Sequence, residues 1–191
     1  MYTDDEIKDI LKIRLSKKRC AHSLNVAEEA RKLALTYGGD PEKSYTAGLI
    51  HDICKEIPHE EQLEMVKKSR MDICPPELLM PPLFHAPAGA WYSENVLGFH
   101  DDDLLNAVRY HTIARGGMSL LEKTVYLADL ISADRTYKDV GKMRRISYID
   151  LDAAMFEALR FSVISVVEKG SLLPVHTINA YNEYALKERK D

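Results

Sequence analysis

The stretch that decides the fold is AGLIHDICKE, residues 47–56. A short run of small and apolar residues ends there in a histidine and an aspartate, His51 and Asp52. A carboxylate among apolar residues is unfavourable unless a cation or a metal ion stabilises it. Imidazole together with carboxylate suits iron, manganese, zinc and similar ions. Neighbours on a helix point about 100° apart, so both side chains reach one ion only if it lies beside the helix, between them.

The sequence on both sides of this stretch predicts helices. Asp40-Pro41 is a typical helix start, and we expect the helix behind it to run into His51-Asp52. The preceding helix carries His22 and ends at Gly38-Gly39, a common left-handed helix end. Thr3 and Glu6 have the spacing of a capping box, which predicts a short helix toward Leu15.

The rest of the chain is also predicted to be helical. An amphipathic helix follows Pro58, and four prolines make residues 72–83 the most irregular part of the chain. Further helices are predicted at 84–96, from 101–103 to His111, after the capping box of Ser119 and Glu122, at 150–168 and at 174–188. No alternating pattern of convincing length indicates a strand. We therefore expect an all-α chain with one domain, residues 1–191.

Composition limits the classes of function. The chain has 191 residues, 46% of them hydrophobic and 29% charged, with a net charge of -4, so it lacks the basic excess of a protein that coats DNA or RNA. Three cysteines with no metal-finger spacing favour a reducing compartment. The acidic N-terminus is not a signal peptide, and no stretch approaches the roughly 18 apolar residues of a membrane span. We expect a cytoplasmic protein.

Four more ionisable residues lie at apolar positions. Asp129 is inside VYLADLI, residues 125–131, and His22, His85 and His111 lie at or near the ends of predicted helices. Taken singly, each has a common structural explanation, because buried histidines are usually hydrogen-bonded and aspartates near helix ends are usually caps. The adjacent His51-Asp52 pair shifts the interpretation toward a metal site.

The order His22, His51-Asp52, Asp129 is the H...HD...D signature of HD-domain phosphohydrolases. The surrounding sequence resembles the YqeK group of small bacterial HD proteins, which are symmetrical hydrolases of bis(5'-nucleosyl) tetraphosphates. The resemblance extends from about residue 17 to about residue 184 and implies a single HD-domain helical bundle around a metal site. It is carried by RCAHSLNVAEEARKLALTYG, AGLIHDICKE, FHAPAGA, AVRYHT, MSLLEKTVYLADLISADR and PVHTINAYN.

The resemblance implies a role for each matching residue. His22, His51, Asp52 and Asp129 would hold a metal ion, with iron expected and manganese or zinc as alternatives. His85 and His111 would hold a second ion or contact the substrate phosphates. The other residues implied in substrate binding are Arg19, Lys55, Arg135, Thr112, His176 and Tyr181. The stretches HTIARGGMS and ISADR differ from the sequences that are usual in the group at these positions, although Arg135 is retained.

The chemistry that we expect is hydrolysis of a phosphoanhydride. A metal lowers the pKa of bound water and neutralises phosphate charge, so we expect metal-bound hydroxide to attack a central phosphorus of diadenosine tetraphosphate. Two nucleoside diphosphates, ADP-like or GDP-like, would leave. The catalytic residues would be Asp52, Lys55, His85 and His111, with Arg135 also stabilising phosphate charge.

Other functions remain open on the sequence. The same site could act on a nucleoside monophosphate, a guanosine alarmone or a cyclic nucleotide, although the last usually needs further motifs. The chain could instead be a nucleotide-binding or assembly factor whose metal site only organises a pocket. The resemblance and the frequency of symmetric dimers among proteins suggest a homodimer.

Overall fold

The computed structural model describes residues 2–187, and helices joined by short turns make up most of them. Within that range there are ten α-helices and no strand, which confirms the all-α prediction. Two short 3-10 helices, Pro75–Leu79 and Pro81–Leu83, lie in the proline-rich segment. The α-helices are α1 Asp4–Arg14, α2 Lys17–Tyr37, α3 Pro41–Ile50, α4 His59–Lys68, α5 His85–Asn95, α6 Asp102–Tyr110, α7 Leu120–Ile131, α8 Val140–Ser147, α9 Leu151–Glu168 and α10 Val175–Lys187.

Most helix ends follow the predicted caps. Thr3 and Ser119 form capping boxes at the starts of α1 and α7, and Asp40 accepts hydrogen bonds from two backbone N–H groups of α3. Gly38 ends α2 in the left-handed conformation, at φ 73°. These side chains and this glycine satisfy backbone groups that a helix end leaves unpaired, and this is why they mark the boundaries. The predicted end of the last helix, Glu188, lies outside the described residues.

One helix was not predicted. α8 begins after Asp139, which has a φ of 68° and makes no side-chain cap hydrogen bond. The helix buries only Met143 and Ser147. Val140, Met143 and Ile146 have helical spacing, but without a capping residue the start of this short helix is not marked in the sequence.

The centre of the bundle is the packing of α2 against α3 and α7. Gly48 permits the close approach of α3 to α2, since a Cβ atom at this position would lie 2.6 Å from the Cα atom of Ala27. The apolar core extends from Ile7 to Tyr184. α5 packs on α6, and α6 contacts both α3 and α7. This arrangement brings the helix ends that carry the predicted ligands to one place.

None of the helices within residues 2–187 has both the length and the apolarity needed to cross a bilayer.

Candidate metal centre

The six residues predicted to hold metal ions meet in one cluster. The His22 and His51 rings are 5.4 Å apart, the His51 and His111 rings 4.9 Å, and the His85 and His111 rings 5.1 Å. Asp52 and Asp129 contact these rings through their carboxylates. These residues come from α2, α5, α7 and the turns after α3 and α6. Each histidine is at least 95% buried, so the cluster lies inside the bundle.

Backbone carbonyls fix the orientation of three of the histidine rings. The Nδ1 atoms of His51, His85 and His111 each lie 2.7–2.8 Å from the carbonyl oxygen three residues earlier in the chain. Because a carbonyl oxygen can only accept a hydrogen bond, Nδ1 must carry the proton in each ring. When such a ring is neutral, it presents the lone pair of Nε2, the form in which histidine binds a metal.

A carboxylate fixes the fourth histidine. His22 Nδ1 lies 2.8 Å from Asp134 Oδ2, and Asn25 donates to the other oxygen of Asp134 at 3.1 Å. Burial raises the pKa of Asp134, but the hydrogen bond and the charge of His22 outweigh it and lower that pKa to about 2. A carboxylate behind a metal-binding histidine orients the ring and makes Nε2 a better ligand. The sequence did not single out Asp134, because it lies in the turn beyond α7 and has no motif of its own.

The first group of ligand atoms fits a divalent cation. The Nε2 atoms of His22 and His51 and a carboxylate oxygen of Asp129 all lie within 4.8 Å of one another. Both Nε2 atoms are buried and lack a hydrogen-bond partner among the described residues. His22 Nε2 is 2.9 Å from Asp129 Oδ1, but the two atoms are not aligned as a hydrogen bond. Unpaired buried polar atoms are costly, and a divalent ion between the Asp129 carboxylate and the two Nε2 atoms would satisfy both nitrogens.

A second group lies beside the first and shares His51 with it. His51, Asp52 and His111 also offer ligand atoms within 4.8 Å of one another. Asp52 Oδ1 is buried without a hydrogen-bond partner in residues 2–187, 3.3 Å from His85 Nε2 and 3.6 Å from His111 Nε2. Thr112 Oγ1 lies 3.0 Å from His111 Nε2 and 3.2 Å from His85 Nε2. His85, His111 and Thr112 are therefore at the same centre as the HD pair.

The electrostatics favour ionised carboxylates and neutral outer histidines. Burial raises the pKa of Asp52 and of Asp129, but the neighbouring histidines outweigh burial and hold both pKa values well below the usual range. Burial and the Lys55 charge lower the pKa of His85 far below its ordinary value, and burial lowers the pKa of His111. These are the protonation states that metal ligands require near neutral pH.

Among the described residues three cations adjoin the cluster, and each is partly exposed. Arg19 Nη1 lies 2.7 Å from Asp52 Oδ2. Arg135 donates to the carboxylate of Asp129 and, at 2.7 Å, to its backbone carbonyl. Lys55 Nζ lies 3.0 Å from His85 Nε2. These positive charges balance the buried carboxylates and surround the centre where an anionic substrate would meet it.

His176 and Tyr181, the other two residues implied in nucleotide binding, have different neighbours. His176 packs on the ring of Tyr110, with ring centres 5.4 Å apart. Tyr181 stacks on Phe156, with ring centres 5.9 Å apart. Their part in a nucleotide pocket stays a prediction.

Comparison with known proteins agrees with the geometry. Residues 19–134 match the model of the HD domain family. The symmetrical bis(5'-nucleosyl)-tetraphosphatase of Bacillus subtilis is 33% identical over 180 residues, which are 93% of this chain and 95% of that protein. The protein of the same name from Staphylococcus aureus is 32% identical over 97% of this chain and 96% of its own length.

A solved structure is also similar. It is a crystal structure from Clostridium acetobutylicum, described as a predicted HD superfamily hydrolase involved in NAD metabolism. It superposes with a TM-score of 0.93 at 36% sequence identity, covering 98% of this chain and 99% of the other. With the family match and the clustered ligands together, the chain belongs to the HD domain family.

Proposed function

We propose that this chain is a metal-dependent phosphohydrolase that cleaves bis(5'-nucleosyl) tetraphosphates, such as diadenosine tetraphosphate, symmetrically into two nucleoside diphosphates. Two observations carry the proposal. Relatives named for this activity align over 95% or more of their own length. In this chain His22 Nε2, His51 Nε2 and Asp52 Oδ1 are buried without hydrogen-bond partners among the described residues, next to the carboxylate of Asp129.

The metal would be held by His22, His51, Asp52 and Asp129. We propose iron, with manganese and zinc as the alternatives that suit imidazole and carboxylate ligands. When bound, such an ion acts as a Lewis acid that neutralises phosphate charge and makes water more acidic. His85 and His111 are proposed as ligands of a second ion, or as contacts for phosphate oxygens, since their Nε2 atoms lie 3.2 Å apart beside Asp52.

The side chains around the centre would bind and orient the polyphosphate. Water attacks a central phosphorus, the bond to the oxygen that bridges the two central phosphorus atoms breaks, and one nucleoside diphosphate leaves while the other keeps the oxygen of water. Lys55 and Arg135 would stabilise the charge on the phosphate oxygens. Arg19 would hold the phosphates of the half that stays bound, with Thr112, His176 and Tyr181 as further proposed contacts.

The test is product analysis with a ligand variant. Protein purified without oxygen and supplied with iron or manganese is incubated with diadenosine tetraphosphate, and the nucleotides are separated by chromatography. We expect two ADP per substrate, no activity after chelation, and a loss of at least about 10³-fold in kcat for Asp52→Ala. Circular dichroism of the variant checks that the helices persist.

The rival functions predict other products. The products ATP and AMP would contradict the proposed cleavage at the midpoint of the tetraphosphate. Phosphate release from a nucleoside monophosphate or a guanosine alarmone, without cleavage of the tetraphosphate, would identify another HD substrate. Tight nucleotide binding without turnover under any metal supplement would favour the binding or assembly factor.

Four broader statements are also proposals. A single domain, residues 1–191 with a core of about 17–184, is supported by one hydrophobic cluster that reaches from Ile7 to Tyr184. A cytoplasmic location is supported by three free cysteines, Cys20, Cys54 and Cys74. The net charge of -4 supports a nucleotide rather than DNA or RNA as partner. A homodimer rests on the resemblance and on base rates.

A further inference from the structure

A second cluster of ligand-type side chains lies apart from the HD residues. Cys74 precedes the 3-10 helix Pro75–Leu79, Glu77 is within it, and His176 is in the first turn of α10. The Sγ atom, a carboxylate oxygen and a ring nitrogen of these residues all lie within 4.8 Å of one another. Cys74 and Glu77 are buried, and His176 is mostly buried. The three residues form what we call the Cys74 cluster.

The cluster has an unpaired atom at its centre. His176 Nε2 is buried and has no hydrogen-bond partner among the described residues. It lies 3.8 Å from Glu77 Oε1 and 3.4 Å from Asp72 Oδ2. Cys74 Sγ lies 3.1 Å from the same Glu77 oxygen, to which the thiol donates. A thiol, a carboxylate and an imidazole nitrogen therefore face a common point.

We propose that the Cys74 cluster is a binding site for a zinc-like transition-metal ion, independent of the HD centre. Thiolate, imidazole and carboxylate are the ligands that such ions prefer in proteins, and three protein ligands with a fourth position are a common arrangement. The exposed carboxylate of Asp72 is close enough to take the fourth position. The HD centre has nitrogen and oxygen ligands only, so the two sites differ in chemistry.

The buried arginine beside the cluster is compatible with a bound cation. Arg109 Nη2 lies 2.8 Å from Glu77 Oε1 and 2.7 Å from Glu77 Oε2. On metal binding, the Cys74 thiol loses its proton to solvent, so Glu77 Oε1 no longer accepts a hydrogen bond from it and coordinates the ion. Arg109 keeps its hydrogen bond to Glu77 Oε2. The Cys74 thiolate and the carboxylates of Glu77 and Asp72 then balance the charges of the divalent metal and the guanidinium.

The position of the cluster gives the ion a structural role. It would join the irregular segment 72–83 to α10, and His176 already packs on Tyr110, the residue before His111. The same irregular segment leads directly to His85. A metal in the Cys74 cluster would therefore fix the two chain segments that carry the outer histidines of the HD centre.

The test uses cobalt as a spectroscopic probe for zinc. Metal-free full-length protein is titrated with Co²⁺, and the near-ultraviolet charge-transfer band of a cobalt–thiolate bond is followed. We expect one equivalent of thiolate-bound Co²⁺, displaced by Zn²⁺, whereas the HD centre contributes no such band because it has no thiolate. The band is lost in Cys74→Ser and retained in the matched control Cys20→Ser. The band is also retained in Asp129→Ala, which lacks a ligand of the HD centre. The outcome therefore tests the Cys74 cluster separately from the proposed hydrolase activity.

A second variant keeps the inference falsifiable if Cys74→Ser does not fold. His176→Gln removes the imidazole ligand and leaves the thiol in place, and we expect at least a tenfold weaker affinity for Co²⁺ at the thiolate site. The inference is overturned if wild-type protein gives no thiolate band, if the band persists in Cys74→Ser, or if His176→Gln binds Co²⁺ as tightly as wild type.

Discussion

At the scale of single residues, Asp134 decides which nitrogen of His22 is available. The carboxylate accepts a hydrogen bond from Nδ1, with the two atoms 2.8 Å apart, so Nε2 is free to bind the metal. We predict that Asp134→Ala weakens binding of Mn²⁺ by about 10–100-fold. Asp134→Asn keeps an acceptor oxygen without the charge, so its affinity for Mn²⁺ should lie between those of the wild type and Asp134→Ala. Competition with a chromophoric chelator measures the affinities.

The control for Asp134 is an aspartate far from the metal centre. Asp9 is exposed on α1 and, among the described residues, pairs only with Lys12, so Asp9→Ala should bind Mn²⁺ like the wild type. An equal loss in both variants would mean that the effect comes from net charge, and no loss in Asp134→Ala would contradict the positioning role.

His51 makes metal binding depend on pH. Burial lowers its pKa, but the Asp52 carboxylate outweighs burial, and the pKa in the metal-free protein is raised above 6.5. The proton on Nε2 thus stabilises the metal-free fold below pH 6.5, and this stabilisation is lost as the pH rises through the folded-state pKa. A metal must displace that proton. We predict that metal affinity increases as the pH rises through the pKa of His51.

Two measurements check the role of His51. Histidine-selective NMR of the metal-free protein should show a ring that titrates above 6.5, and chelator competition at a series of pH values should show the affinity rising over the same interval. An affinity that stays constant across that interval would contradict the prediction.

The sequence indicates some of these residues and not others. His22, His51, Asp52 and Asp129 stand out because they are polar residues at apolar helix positions. Asp134 follows no such rule, since its partner His22 is 112 residues away and the contact depends on how α7 ends beside α2. Arg135 was predicted to contact phosphate, and its hydrogen bonds to Asp129 could be found only from the structure.

At the scale of elements, the α2–α3 contact depends on Gly48. A methyl group there would meet the backbone of Ala27 at 2.6 Å from Cα and 2.9 Å from N, and backbone cannot move aside as a side chain can. We predict that Gly48→Ala lowers the free energy of unfolding by at least the roughly 1–3 kcal/mol typical of an overpacked core. It should also weaken metal binding, because α2 carries His22 and Gly48 accepts from His51 Nδ1.

The matched control is a helical glycine with free space. A Cβ atom at Gly141 in α8 would meet nothing within 4 Å, so Gly141→Ala should be neutral or stabilising. Urea unfolding followed by circular dichroism compares the two variants. Equal stability of Gly48→Ala and wild type would mean that α2 and α3 can separate without cost.

Elements are predictable to the extent that their ends carry caps. Thr3, Asp40 and Ser119 locate helix starts because their side chains bond backbone N–H groups nearby in the sequence. α8 has no capping side chain. Its C-terminal end is held by contacts that are distant in the sequence, such as the hydrogen bond from Tyr37 to the Ser147 carbonyl. Local chemistry therefore predicts boundaries, whereas tertiary contacts decide the remaining helix.

At the scale of the whole molecule, local sequence patterns do not predict which helices pack against each other. α2 meets α7 across about ninety residues of chain, and α6 lies between α5 and α7. The irregular segment 72–83 buries few of its apolar side chains, since Leu78 and Leu79 are exposed. Its attachment depends on one buried ion pair, in which Glu77 is 2% exposed and Arg109 is 1% exposed.

We predict that breaking this ion pair destabilises the protein more than breaking an exposed one. Glu77→Gln leaves the guanidinium of Arg109 buried without a counter-charge, which typically costs about 3–5 kcal/mol. Glu64→Gln removes the Lys67–Glu64 pair, whose side chains are more than half exposed, and should change stability little. Urea unfolding with a chelator present excludes any contribution from bound metal. Hydrogen exchange of Glu77→Gln should increase first in residues 72–83, because Arg109 also donates to the Asp72 carbonyl. If both variants unfold at the same urea concentration, the segment is held by packing and not by the ion pair.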